Sequence, residues 1–121
     1  MRTLNDYFIL GGPITDVQTA DSGPVAAVSV PDAGTLVGIV GTTAGVAIDT
    51  ATTFDVMKVS AGTEADTGID ATIAAIAART GAEMTLDGVV SFAVGDSFYI
   101  QSNAECSNAN TTLYVQYIIR R

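Results

Sequence analysis

Short runs rich in β-branched and aromatic residues recur along this sequence, separated by turn residues such as Gly, Pro, Asp and Asn. We count about eight or nine runs at spacings of about 8 to 12 residues, a pattern typical of β-sandwiches and small barrels. The length of 121 residues suits one hydrophobic core. The sequence therefore predicts an all-β protein, a single-domain β-sandwich of Greek-key or jelly-roll type at 25–121, with 1–24 as an extended N-terminal arm.

The clearest strand pattern lies near the end of the chain, where Ser97–Ser102 and Thr111–Arg120 flank a polar loop. Alternate residues of each run are apolar, as expected for strands with one face in a core. We predict that these two runs pair as a hairpin. The predicted core residues are Phe98, Ile100, Leu113, Val115, Tyr117 and Ile119.

Two further hairpins are predicted from turn chemistry. Pro31–Gly34 separates two apolar runs, with Pro presetting the first turn position and Gly accepting a positive φ. Asp87–Gly88 is a favoured two-residue turn between two short β-rich runs.

The middle of the chain is harder to interpret. Phe54–Val59 has a strand pattern with an ambiguous buried face, and Ser60–Gly68 is interpreted as a loop. Ala71–Arg79 is rich in Ala, and Asp70 is suited to cap a helix there, yet the same stretch also alternates as a strand does. We favour the strand because every neighbouring segment has a β pattern and a lone two-turn helix would need packing.

Charge and composition exclude several classes of function. The chain has 13 acidic and 5 basic residues and a formal charge of −8, which disfavours direct binding to nucleic acid. It has no His and a single Cys, Cys106, so neither a zinc cluster nor an intrachain disulfide is expected. We find no signal peptide and no apolar run long enough to cross a membrane, so we expect a soluble protein made in a cytoplasm.

No stretch predicts a catalytic, cofactor or metal site. Glu64, Asp66 and Asp70 are the nearest approach to a carboxylate cluster, but they lack the alternating pattern of a calcium loop and are interpreted as solvated. Lys58 is interpreted as a surface charge and Cys106 as a bystander thiol. A hydrolase that uses carboxylates stays open as the least supported alternative.

The N-terminal segment concentrates large apolar side chains near a chain end, followed by a Gly11–Pro13 pivot. Such residues need a surface to cover them, either the domain's own sheet or a neighbouring subunit. We predict that the segment crosses to a neighbour by strand addition, with a first strand folded onto its own core as the alternative. The predicted contact residues are Leu4, Tyr7, Phe8, Ile9, Leu10, Ile14 and Val17.

Three landmarks together resemble the head decoration, or capsid cement, proteins of tailed bacteriophages: Val28–Val37 around its turn, Val94–Asp96 entering a strand, and a β-rich final strand ending in Arg120. The resemblance covers roughly 25–121. It implies a non-enzymatic virion protein on the capsid exterior, made in the host bacterial cytoplasm, without catalytic residues or cofactors. The implied partners are the major capsid protein and two further copies in a homotrimer, with neither nucleic acid nor membrane.

The alternative within the same class is a tail or fibre module that binds a neighbouring virion protein or a host glycan. Glycan sites usually offer aromatic platforms among polar groups, and the sequence has no Trp and only four Tyr. The candidates for such a platform are Tyr99, Tyr114 and Tyr117, and packing within the sheets is their other interpretation.

Overall fold

The computed structural model describes residues 5–121 as two antiparallel five-stranded sheets and contains no helix in that range. Sheet A has the order β1-β10-β3-β6, with β8 also paired to β3, and sheet B has the order β2-β9-β4-β5-β7. The predicted β-sandwich of Greek-key or jelly-roll type is confirmed. The strands are β1 (Asp6–Ile14), β2 (Val28–Ser29), β3 (Gly34–Thr43), β4 (Thr52–Ser60), β5 (Thr63–Ile73), β6 (Gly81–Glu83), β7 (Thr85–Leu86), β8 (Val90–Phe92), β9 (Ser97–Ser102) and β10 (Leu113–Arg120).

The core lies between the two sheets and follows the predicted alternation. All six predicted core residues of β9 and β10 are at most 3% exposed. Three aromatic rings form its centre: Phe98 stacks on Phe92 at 4.4 Å between ring centroids and meets Tyr117 edge-on at 4.6 Å. Because Phe98 comes from sheet B and the other two from sheet A, these contacts join the layers.

The structure contradicts all three predicted hairpins. Ser97–Ser102 and Leu113–Arg120 are strands, but they belong to opposite sheets. The strands on either side of Pro31–Gly34, and those on either side of Asp87–Gly88, are likewise divided between the sheets. Turn residues mark where a strand ends, but they do not determine which sheet receives the next strand.

Gly34 is needed for a reason other than the predicted positive φ. It is the first residue of β3, and a Cβ atom there would lie 2.6 Å from the backbone oxygen of Arg120. Close approach of two backbones, and not turn geometry, therefore excludes larger residues at this position.

Within residues 5–121, β4 and β5 form the one hairpin of consecutive strands. Its turn is Ala61–Gly62, with φ of 50° and 79°, as a two-residue type I′ turn requires. The predicted loop at Ser60–Gly68 is therefore wrong, because β5 begins at Thr63. The strand alternative for Ala71–Arg79 holds as far as Ile73, and beyond it Ile76 makes an isolated bridge to Ile48.

The N-terminal segment belongs to the domain's own fold. β1 pairs with β10 from Asp6↔Arg120 to Ile14↔Leu113, so the structure matches the alternative of a first strand folded onto its own core. The chain after it is also tied down, since the amide of Val17 donates to the carbonyl of Thr111 at 3.1 Å. The Ser102 hydroxyl donates to the carbonyl of Val17 at 2.5 Å.

Candidate neighbour-binding face

The predicted contact residues of the N-terminal segment lie on both faces of β1. Tyr7 and Ile9 pack against the core from the inner face, whereas Phe8 and Leu10 are exposed on the outer face. Their alternation follows from the strand itself, because successive side chains point to opposite sides of a sheet. Leu4 lies outside the described residues.

Ile14 and Val17 are corrected from contact residues to core residues. Both side chains are fully buried in the main core cluster, so neither is available to a neighbouring subunit. In the structure β1 ends at Ile14, and the chain then turns Val17 inward beneath the loop before β10.

Three large exposed side chains lie on the outer face of β1 and β10: Phe8 is 54% exposed, Leu10 77% and Tyr114 53%. We call these three residues the outer apolar patch. Phe8 is opposite Ile118, Leu10 is opposite Gln116, and Tyr114 is opposite Pro13 on the neighbouring strand. The patch therefore follows roughly 13 Å of the sheet, at about 3.3 Å per strand residue, and ends at the sheet edge that β1 forms.

The outer apolar patch lies on a closely packed part of sheet A. Ile118 is 1% exposed although it lies outside the core cluster, and it packs over Gly38 of β3. A Cβ atom at Gly38 would lie 3.0 Å from Ile118 Cδ1, so the absent side chain makes room for the isoleucine. The outer face of sheet A is therefore packed beneath Phe8, and it offers a firm apolar surface.

The edge strand that carries the patch is held at its start by polar contacts. Arg120 forms a two-pronged ion pair with Asp6, with nitrogen–oxygen distances of 2.9 and 3.1 Å. These hydrogen bonds, with the carboxylate charge, raise the pKa of Arg120. The Tyr7 hydroxyl donates to the carbonyl of Asp32 at 2.7 Å, and the Arg121 guanidinium lies 5.3 Å from the centre of the Tyr7 ring.

The predicted Gly11–Pro13 pivot is a bulge within β1. The register shifts between Leu10 and Gly12. Gly12 has a φ of 74°, and a Cβ atom at Gly11 would lie 2.4 Å from the Tyr117 ring. The two glycines thus let β1 continue past Tyr117 and place Pro13 opposite Tyr114. This stretch does not lead out of the domain.

The tyrosines considered for a glycan platform are dispersed. Tyr117 is in the core, and Tyr114 belongs to the outer face of sheet A. Tyr99 lies on sheet B, where its hydroxyl donates to Glu64. Burial, followed by the hydrogen bond to Glu64 and nearby negative charge, raises the pKa of Tyr99 to about 12. No shared aromatic surface results.

Two carboxylates, those of Asp49 and Asp96, hold loops in place. Asp49 accepts hydrogen bonds from the amide and hydroxyl of Ser107, which lower its pKa to about 2. Asp96 accepts the amide of Ala93 at 2.9 Å and the hydroxyl of Ser60 at 2.8 Å. The same bonds lower the pKa of Asp96, and the ammonium of Lys58, 3.7 Å away, adds to the effect.

The remaining reactive side chains considered from the sequence are separated from one another. Cys106 is buried in the core cluster, with its Sγ atom 3.6 Å from the hydroxyl of Thr111. Lys58 donates to the carbonyl of Ser91 at 2.8 Å. Glu64, Asp66 and Asp70 follow one another along β5, and residues 5–121 contain no group of acidic or thiol side chains arranged to hold a metal ion.

A groove that the sequence did not indicate lies between the β4–β5 hairpin and the start of β8. Its volume is about 460 Å³, and its wall includes Thr63, Ala65 and Thr67 of β5. Val89, 73% exposed, lies on the opposite side. The alternation of Thr and Ala with Glu and Asp at 63–67 could have indicated a strand here. Small polar residues are equally typical of a loop, so the strand was not predicted.

Comparison with protein-family models and with curated proteins found no match for this chain. Among the described residues there is no helix that could cross a membrane.

Proposed function

We propose that this protein is a capsid decoration protein that binds the outer surface of a phage head at inter-capsomer positions and stabilises the shell. The observation that carries the proposal is the outer apolar patch, in which Phe8, Leu10 and Tyr114 lie exposed together at the edge of a firmly packed sheet. Exposed apolar clusters of this kind mark protein interaction sites. The sequence resemblance supplies the partner class, the major capsid protein.

A stabilising role needs only modest affinity from each subunit. Burying three large apolar side chains yields several kcal/mol at about 25 cal/mol per Å², before ordering costs are subtracted. The ordering costs are low for this patch because β1 is already hydrogen-bonded to β10 and its start is held by the Asp6–Arg120 ion pair. In a homotrimer three such contacts would act together, and binding would exceed that of any single subunit.

The test is co-sedimentation with expanded phage heads prepared without this protein. The double variant Phe8→Ser/Leu10→Ser should lower head binding by at least tenfold and leave the domain folded, because both side chains are more than half exposed. Val94→Ser is the matched control, since Val94 is also exposed (67%) but lies outside the patch. Equal binding by the double variant and the control would refute the patch as the attachment face.

A tail or fibre module that binds a neighbouring virion protein would use the same patch, so copy number distinguishes the two roles. Purified particles should contain hundreds of copies of a decoration protein and only a few of a tail component. A solution mass of three subunits would support the trimer, and a monomer that fails to bind heads would overturn the decoration role. The glycan-binding form of the alternative has less support because Tyr99, Tyr114 and Tyr117 are dispersed.

A further inference from the structure

The first half of β5 has an unpaired edge. β4 covers one side of β5 as far as the turn, but on the other side β7 pairs only with Ala71 and Thr72. Along Thr63–Gly68, no strand within residues 5–121 lies on that outer side. A strand edge left open in this way presents free backbone donors and acceptors to other chains.

The hairpin register identifies the backbone groups that face outward. Ser60 and Thr63 flank the two-residue turn and are opposite each other, so they form the first hydrogen-bonded pair. Glu64, opposite Val59, and Asp66, opposite Met57, then fall at the non-bonded positions. Because bonded and non-bonded pairs alternate, the N–H and C=O groups of Glu64 and Asp66 point away from β4.

The two faces of this edge differ in chemistry. Thr63, Ala65 and Thr67 face the groove, in which small side chains of an added strand could contact Val89 and Val90. The rest of the lining is polar: Lys58, Ser60, Asp66 and Ser91. Glu64 and Asp66 occupy the alternate positions of the strand, and Asp66 also contributes to the groove lining, where its carboxylate accepts the amide of Gly68. An added strand would therefore meet small side chains in the groove and carboxylates at the alternate positions of β5.

Within residues 5–121, the carboxylates near this edge form no ion pair. The three ion pairs of the described residues use the carboxylates of Asp96, Asp6 and Asp32. Lys58, the basic residue of the β4–β5 hairpin, lines the groove but pairs with Asp96. The pKa of Asp70 is raised, by partial burial first and then by a hydrogen bond with Asp55 and the charges of its acidic neighbours. The surrounding field is thus negative, and basic side chains would complement it.

We propose that the open edge at Thr63–Gly68 binds an extended segment of a partner protein by strand addition. The segment alternates basic and apolar residues, so that Lys or Arg side chains meet Glu64 and Asp66 while apolar side chains enter the groove. A second copy of this chain is the wrong occupant. Two such edges would place their carboxylates opposite each other, and each chain has a net charge of −8. This proposal does not depend on the proposed head binding, because the outer apolar patch lies on sheet A and β5 belongs to sheet B.

The experiment uses full-length protein labelled with ¹⁵N and two blocked synthetic peptides, Lys-Val-Lys-Val-Lys and Glu-Val-Glu-Val-Glu. The basic peptide should shift amide signals at 63–68 and at Val89, and it should slow hydrogen exchange of the Glu64 and Asp66 amides. Its affinity should fall at least fivefold between 50 and 200 mM salt, because the contacts are exposed charge pairs. Shifts spread elsewhere, or equal binding of the two peptides, would overturn the proposal.

Two variants separate the backbone edge from the charge. Glu64→Pro removes an outward N–H donor and should therefore weaken binding of the basic peptide at least tenfold. The variant should still fold, because Pro is tolerated on a strand edge where the N–H faces solvent. Glu64→Gln/Asp66→Asn keeps the edge and should weaken binding about fivefold and flatten the salt dependence. Glu83→Gln, on exposed β6, is the control and should leave binding unchanged. Unchanged binding by the charge variant would refute the recognition of basic residues. If Glu64→Pro perturbs the hairpin, exchange of the Glu64 and Asp66 amides in the wild type still decides whether the edge is used.

Discussion

At the scale of single residues, the Tyr117 hydroxyl is a buried polar group that meets no hydrogen-bond partner within the described part of the chain. Its ring contributes to the core through Phe98, whereas the hydroxyl has lost its hydration on folding. Burial raises the pKa of Tyr117 for the same reason, because an ionised phenol would be costly there. The ring is therefore needed in the core, and the hydroxyl is not.

We expect Tyr117→Phe to stabilise the protein by about 1 kcal/mol, since an unsatisfied buried polar group costs about that much or more. Tyr7→Phe is the matched control and should be slightly destabilising, because the Tyr7 hydroxyl donates to the carbonyl of Asp32. Urea unfolding of both variants measures the difference. If Tyr117→Phe lowered the free energy of unfolding more than Tyr7→Phe does, the buried hydroxyl would have a hydrogen-bond partner. The neighbouring polar group is the backbone of Ile100.

Alternation along single strands was readable from the sequence, and pairing between strands was not. Leu113, Val115 and Tyr117 were predicted to be buried because their side chains recur every second residue. Ile118 breaks that rule, because its burial depends on Gly38 of β3, which is distant in sequence although it lies beside β10 in the sheet. The predicted hairpins failed because Pro31–Gly34 and Asp87–Gly88 connect different sheets, which local turn chemistry does not specify.

The candidate site was predictable only in part for the same reason. Phe8 and Leu10 were identified because large apolar residues stood together near a chain end. Tyr114 joins them through the β1–β10 register, which links residues roughly a hundred positions apart and has no local signal. The open edge of β5 was missed because Thr63–Gly68 is polar enough to be interpreted as a loop.

The element best suited to a direct test is the β4–β5 turn. Ala61 has a φ of 50°, where Asn is better tolerated than Ala and where Asn-Gly is the favoured type I′ pair. Ala61→Asn should therefore stabilise the protein by about 0.5 to 1 kcal/mol, measured by thermal unfolding. Ala65→Asn within β5 is the control and should not stabilise. A loss of stability in Ala61→Asn would mean that the turn has another geometry.

At the scale of the whole molecule, the response to acid depends on carboxylates that tie loops together. Asp49 joins its loop to the one that precedes β10, and its pKa in the folded state is about 2 against an ordinary 3.8. A lowered folded-state pKa gives stability that is present above about pH 4 and is lost as the pH falls toward 2. The free energy of unfolding should therefore fall as the pH is lowered from about 4 to about 2.

Asp49→Asn should lower the urea midpoint at pH 6, where the wild-type carboxylate is charged and bonded to Ser107. Near pH 2 the difference between wild type and variant should shrink, because about half of the wild-type carboxyl is then protonated. Glu83→Gln, on exposed β6, controls for the general loss of a negative charge. A difference that stays constant between pH 6 and pH 2 would show that ionisation of Asp49 does not support the loop.

The pairing of β1 with β10 also has a consequence for biosynthesis. β1 lies beside β10, at Leu113–Arg120, so this edge of sheet A cannot form until β10 has been synthesised. Within residues 5–121, β4 and β5 are the one pair of neighbouring strands that are consecutive in sequence, so this hairpin can form early. Before β10 has been synthesised, the apolar residues of β1 lack the strand that pairs with them, so we expect a chain that ends before β10 to aggregate.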